Sequence, residues 1–220
     1  PGTINIGYNS ISFDDEFMRF NYFRNLLEPY ANQKLGCIGM DLLPITLMYY
    51  LFKKESMIWP SKNGKVNLKL ENLNDLNGLA DGMAHDAVVD VLATIEMARR
   101  FKEFDPQTWD YLIGHFSKKI DYERISKLDE VVFSDELKCR KGFFIKNGFG
   151  YQNNCISACL VIGKHQTRDQ TYWLRLDKED FTRYSNNNEI QNVLKKNIVK
   201  RKTAVPDFIL PLKERYFELL

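Results

Sequence analysis

Residues 5–25, "NIGYNSISFDDEFMRFNYFRN", run from an apolar, strand-like approach into three consecutive acids, Asp14, Asp15 and Glu16, and then into an aromatic pattern. Phe13, Phe17, Phe20, Phe23 and Leu27 recur every three or four residues, which predicts a helix that Pro29 closes. Acids in a helix's first turn complement its positive end and its unpaired N–H groups. A strand that hands over to a helix is also where α/β enzymes place metal-binding carboxylates. Capping and chemistry both account for the cluster, and partners elsewhere must separate them.

Outward from that stretch, "MDLLPITLMYYLFKKE" (40–55) predicts a second, core helix with Asp41 as N-cap and Pro44 in its first turn. "SMIWPSKNGKV" (56–66) predicts a loop turning at Asn63-Gly64, and "NLKLENLNDLNG" (67–78) a short helix stopped by Gly78. "GMAHDAVVDVLATIEMARRFKEF" (82–104) is the clearest helical pattern. Val88, Val91, Leu92, Ile95 and Ala98 form one apolar stripe, and Arg99, Arg100 and Lys102 lie near the C-terminal end. The character of the sequence changes at Pro106, where a domain boundary is expected. "PQTWDYLIGHFSKK" reads as helical, but "KGFFIKNG", "CISACLVIGKH" and "TYWLRLD" are short aromatic and β-branched runs between Gly and Asn turns. Such runs predict a small β-barrel or meander.

At 220 residues and 44% apolar composition the chain is long enough for a substantial core and for one or two domains. Its net charge of +2 decides nothing about a nucleic-acid partner. Cys37, Cys139, Cys155 and Cys159 have no zinc-ligand spacing and read as free thiols of a reducing, cytoplasmic environment. The longest apolar run, "LLPITLMYYLF", has 11 residues against the roughly 20 needed to span a bilayer. No secretory pattern precedes it, so neither membrane nor export is expected. Pro1 is not an initiator, and the chain reads as beginning inside a domain.

His85, Asp86 and Asp90 gather at the start of the long helix. Asp86 and Asp90, four apart, share a helical face, where like charges repel unless a cation neutralises them. His85, in the loop before the helix, suits a base that deprotonates water beside a divalent ion. The bland alternative makes Asp86 a cap and His85 a surface residue.

"GYNSISFDDEFMRFNYFRNLLEPYA", "MIWPSKNG", "LKLENLNDLNGL" and "MAHDAVVDVLATIEMA", in this order and spacing, resemble bacterial exodeoxyribonuclease I, of the DEDD exonuclease superfamily with a histidine-type third motif. The resemblance covers about residues 1–105 and is looser beyond. It implies an RNase H-like α/β exonuclease domain over 1–105, lacking its opening strands, and an SH3-like β-barrel domain with helices over 106–220. It places a metal-binding aspartate on Asp14, the general base on His85 and the last metal carboxylate on Asp90. Two Mg²⁺ ions, or Mn²⁺, are the implied cofactors. The implied reaction is 3′-to-5′ hydrolysis of single-stranded DNA to 5′-mononucleotides, with single-stranded DNA-binding protein as a partner and the chain a monomer. Arg19 aligns with a family arginine near the DNA strand; a solvated helix charge is the alternative. The family's early Asp-x-Glu, which supplies two further carboxylates, is absent from these residues. On that ground the chain as given is expected to bind metal poorly and to be nearly inactive, with an exposed apolar face and a free sheet edge.

The run "KKNIVKRK" offers Lys195, Lys196, Lys200, Arg201 and Lys202 as a phosphate-tracking groove. Trp59, Trp109, Trp173, Phe143, Phe144, Phe149 and Tyr151 could stack on bases, although most such aromatics belong to cores. Two other readings stand: a non-catalytic single-stranded nucleic-acid-binding module, and the same chemistry on RNA oligomers, which only a 2′-hydroxyl contact would separate.

Overall fold

The computed structural model describes residues 2–11, 13–82, 86–151, 154–184, 186–202 and 207–219. It is a mixed α/β structure whose chain gathers into two units, Pro1–Phe116 and Ser117–Leu220.

In the first unit, β1 (Ile4–Gly7) and β2 (Ile38–Asp41) pair in parallel, with Ile4 opposite Ile38 and Gly7 opposite Asp41. A crossover carrying α1 (Asp14–Arg24) and the single turn α2 (Ala31–Lys34) joins them. Parallel neighbours cannot be joined by a tight turn, so the helical connection follows from the pairing. Helix α3 (Leu42–Phe52) leaves β2 directly, with the Asp41 carboxyl accepting from the Leu43 N–H. Eight of its 11 residues are buried, as expected for a helix that is apolar all round.

The predicted turn is a two-residue hairpin between β3 (Ser61–Lys62) and β4 (Lys65–Val66). Asn63 and Gly64, at φ 55° and 74°, both take the left-handed conformation that such a turn requires. Helix α4 (Leu70–Asn77) stops at Gly78 as predicted, and α5 (Ala87–Phe104) stops before α6 (Pro106–Ile113). Helix α6 packs back on α5 within the first unit. Helices α3 and α5 meet where the Tyr49 and Phe101 rings stack 4.1 Å apart. The Tyr49 hydroxyl donates to the carbonyls of Phe101 (2.8 Å) and Asp105 (3.1 Å). Asp105 caps α6 through the Thr108 N–H and pairs with Lys53 at 2.5 Å. Those two interactions, the lysine first, pull its carboxyl down to about 2.

The aromatic stripe that predicted α1 is exposed: Phe13, Phe17, Phe20 and Phe23 stand between 59 and 69% accessible. Val88, Val91, Leu92 and Ile95 of α5 are also exposed, as are Ile4, Ile6 and Ile38 of the ribbon. Among the described residues β1 pairs with β2 alone. The helical periodicity was therefore readable, and these faces are exposed, as expected of the chain as given.

The second unit holds α7 (Lys118–Ser126), β5 (Glu130–Val132), β6 (Lys138–Ile145), β7 (Ile156–Lys164), β8 (Gln170–Arg175), α8 (Asn187–Asn197), β9 (Ile198–Lys202) and β10 (Phe208–Pro211). Its antiparallel sheet runs β10-β6-β7-β8-β9, with β5 sharing the β6 edge. The expected barrel is not evident. Among the described residues β9 and β10 are not paired with each other, so this is an open meander with two edges. Ile125, Leu128, Phe144, Phe149, Cys159, Trp173 and Ile209 form its core.

Candidate functional site

Two of the predicted site residues, Asp14 and Asp90, sit in the first turns of their helices, α1 and α5. Asp14 is the first residue of α1 and is exposed. Asp15 and Glu16 complete an acidic first turn, which suits the helix's positive end. Helix α1 has no side-chain cap: Phe13 takes that position, and the Ser10 carbonyl accepts from the N–H groups of Phe13 (3.2 Å) and Asp15 (3.0 Å). Ser10 belongs to a tight turn folded over the end of β1. A Cβ at Gly7 would fall 2.4 Å from the Ser10 side chain, so that approach requires glycine.

Burial raises the Asp15 carboxyl above its ordinary range; the Arg19 charge opposes this and the flanking Asp14 and Glu16 reinforce it. Arg19 donates from Nε to the Asp15 carbonyl, pairs with Glu16 at 3.0 Å and lies over the Tyr30 ring, 5.8 Å from its centre. Asp15, Arg19, Tyr30, Asn5, Cys37 and Gly39 line a recess of about 100 Å³ beneath α1. The Cys37 thiol is drawn down by the Thr3 hydroxyl, which donates to it at 3.4 Å. Burial pushes Cys155 and Cys159 up to about 12, and all four cysteines are free thiols.

On α5, Asp86 is the N-cap, accepting from the N–H groups of Val88 (2.8 Å) and Val89 (3.4 Å). This is the capping role weighed for it above. Asp90 follows one turn later, half-buried, and its carbonyl accepts from the Thr94 hydroxyl. His85 lies outside the described residues. Gly82, at φ 134°, lets the chain pass against Val89, where a Cβ would fall 2.4 Å from a methyl group. Among the described residues no three His, Cys, Asp or Glu side chains converge as a metal site. Neither Asp14 nor Asp90 is part of such a cluster, and the described residues do not by themselves fit a divalent ion.

The basic run divides. Lys195 and Lys196 at the end of α8, and Lys200 and Lys202 on β9, are exposed. Arg201 is 1% exposed and departs from the surface role expected of it. Its two Nη atoms each donate to Asp121 at 2.8 Å, and Nε and Nη2 donate to the Asp207 carbonyl. Strand alternation explains this, since neighbours on β9 point to opposite sides of the sheet. Trp109, Trp173, Phe143, Phe144 and Phe149 are core residues, as the structural alternative had it.

Sequence reasoning assigned Asp41 to capping and missed its other partners. Its carboxyl is 1% exposed and also accepts from the Asn9 N–H at 2.7 Å and the Ile11 N–H at 3.3 Å. Burial pushes the carboxyl up and the three N–H donors hold it down; the rise wins, helped by Asp15. No periodicity announces a partner 30 residues away.

No family model matches the chain. Exodeoxyribonuclease I of Escherichia coli (strain K12) is 38% identical over 120 residues, 54% of this chain and 25% of that protein. Exodeoxyribonuclease I of Buchnera aphidicola subsp. Baizongia pistaciae is 29% identical over 200 residues, 88% of this chain and 39% of that protein. The chain thus spans well under half the length of these relatives. Among solved structures, E. coli exonuclease I in complex with a dA16 oligonucleotide superimposes with a TM-score of 0.78 at 23% identity, over 100% of this chain and 49% of that one. Exonuclease I from Methylocaldum szegediense superimposes with a TM-score of 0.77 at 22% identity, over 100% and 49%. The fold agrees along the whole chain, while sequence identity is higher over the 120-residue stretch than over the full superposition. Over part of its length the chain is homologous to bacterial exodeoxyribonuclease I, and in structure it matches half of the E. coli enzyme.

Proposed function

We propose that the chain is part of an exonuclease I-like 3′-to-5′ nuclease that removes 5′-mononucleotides from single-stranded DNA, in a bacterial cytoplasm. The observation that carries this reading is the 38% identity to the E. coli enzyme over 120 residues. The first unit then reads as part of an RNase H-like layer. Asp14 supplies a metal carboxylate from the head of α1, Asp90 another from α5, and His85 the base.

In such an enzyme Mg²⁺ ions would polarise the scissile phosphate and its attacking water. The described residues do not complete that ligand set, so no hydrolytic step is assigned to these 220 residues alone. Their own roles are to present Asp14 and Asp90, to hold phosphate with Arg19, and to track the strand with Lys195, Lys196, Lys200 and Lys202. One solved relative is a complex of SSB with exonuclease I, and a single-stranded DNA-binding protein is proposed as a partner here too.

The incomplete ligand set favours one second reading, a single-strand-binding module without chemistry. Release of mononucleotides from 3′-labelled single-stranded DNA separates the two. Residues 1–220 and the longest polypeptide the gene encodes are assayed with Mg²⁺ and then with EDTA. Metal-dependent release by the longer polypeptide supports the nuclease; DNA binding without release by either supports the module.

A further inference from the structure

The Asp41 carboxyl clasps the turn that launches α1. Its Oδ1 accepts from Asn9 at 2.7 Å as well as from Leu43 at 3.0 Å, and its Oδ2 accepts from Ile11 at 3.3 Å. Asn9 is held at φ 58°, a conformation non-glycine residues seldom adopt without local support. The clasped residues flank Ser10, and the Ser10 carbonyl replaces the missing cap of α1 by accepting from Phe13 and Asp15 on either side of Asp14. A continuous relay therefore runs from the buried carboxyl to the first turn of α1. Tyr8 steadies its other end, donating to the Leu68 carbonyl at 2.5 Å.

We propose that Asp41 is a positioning residue that fixes where α1 begins and so where the Asp14 carboxylate is presented; its catalytic meaning rests on the role given to Asp14 above. The alternative is that Asp41 only caps α3. Serine caps helices as well as aspartate does but is too short to span to Asn9 and Ile11. Asparagine keeps Oδ1 and turns a donor toward Ile11.

Hydrogen exchange on the 220-residue chain decides between them. Asp41→Ser is expected to speed exchange at Asn9, Ile11, Phe13 and Asp15 by roughly tenfold or more, while residues 46–52 and 94–101 keep wild-type protection, the size expected for losing about one hydrogen bond's net stabilisation. Asp41→Asn is expected to speed Ile11 most. Unchanged exchange at 9–15, or equal loss throughout α3 and α5, overturns the positioning role. In the longest encoded polypeptide, Asp41→Ser is expected to lower kcat on single-stranded DNA with KM unchanged, and Asp41→Asn to recover part of the loss. Faster exchange with wild-type kcat overturns the link to Asp14. If the wild type releases no nucleotide, the nuclease reading fails and the exchange result still decides whether Asp41 positions α1.

Discussion

Arg201 and Asp121, 80 residues apart, face each other through two 2.8 Å hydrogen bonds in the interior of the second unit, each side chain no more than 2% exposed. Removing one partner of such a pair strands a charge without water. Asp121→Ala is expected to cost about 3–5 kcal/mol in urea unfolding followed by tryptophan fluorescence. Replacing both by apolar residues of similar volume is expected to recover most of it. Arg201→Lys restores the charge but not the fork, and is expected to fall between the two.

The lysines around Arg201 call for a different measurement. Changing Lys195, Lys196, Lys200 and Lys202 to glutamine is expected to weaken oligo-dT binding and flatten its salt dependence, by about 0.7 in log–log slope for each phosphate no longer neutralised. Unfolding midpoints are expected to hardly move. Anisotropy of a labelled oligonucleotide across a salt series reads this, and an unchanged slope removes the run from the binding surface.

Lys53 and Asp105 predict a pH effect. The folded Asp105 carboxyl sits near 2 against an ordinary value of 3.8. A depressed carboxylate contributes stability above its unfolded value and loses it as pH falls toward the folded one. Wild type is therefore expected to lose stability relative to Asp105→Asn between about pH 4 and 2, measured as the difference in Tm, and the two curves should run parallel above pH 5. Asparagine keeps the cap of α6, so the difference reports the ion pair.

The exposed stripes of α1 and α5, with Ile4, Ile6 and Ile38 beside a strand edge that no other described strand pairs, predict self-association of the 220 residues on their own. Light scattering after size exclusion should show mass rising with concentration. Phe20→Lys with Val91→Lys is expected to restore the monomer. A monodisperse wild type at high concentration would contradict this.

Local signals in the chain carried far, and long-range ones did not. The helices at 42–52 and 87–104, the Asn63-Gly64 hairpin and the caps at Asp41 and Asp86 rest on neighbours in sequence. Period and cap chemistry report those directly. The burial of Arg201 depends on Asp121 far along the chain, although the alternation of Lys200, Arg201 and Lys202 on a strand was a usable hint. The sheet of the second unit was readable as a meander from its turns, but closure into a barrel depends on which edges meet, and no turn residue encodes that. At the site, the acid clusters and the family resemblance singled out Asp14 and Asp90, which the structure places in the first turns of α1 and α5. The means by which Asp14 is held was not, because the Asn9 and Ile11 donors are backbone groups and carry no residue signature.

The turn over β1 also fixes a length. Six residues separate Gly7 from Asp14; Asn9 and Ile11 among them are tied to Asp41, and the carbonyl of Ser10 between them meets Phe13 and Asp15. A residue inserted or deleted between Asn9 and Asp15 breaks the spacing of these partners. Among the described residues, the surface turns at 25–37 carry no comparable bond to a buried side chain. Insertion scanning should find that segment tolerant and residues 8–13 closed to any change in number.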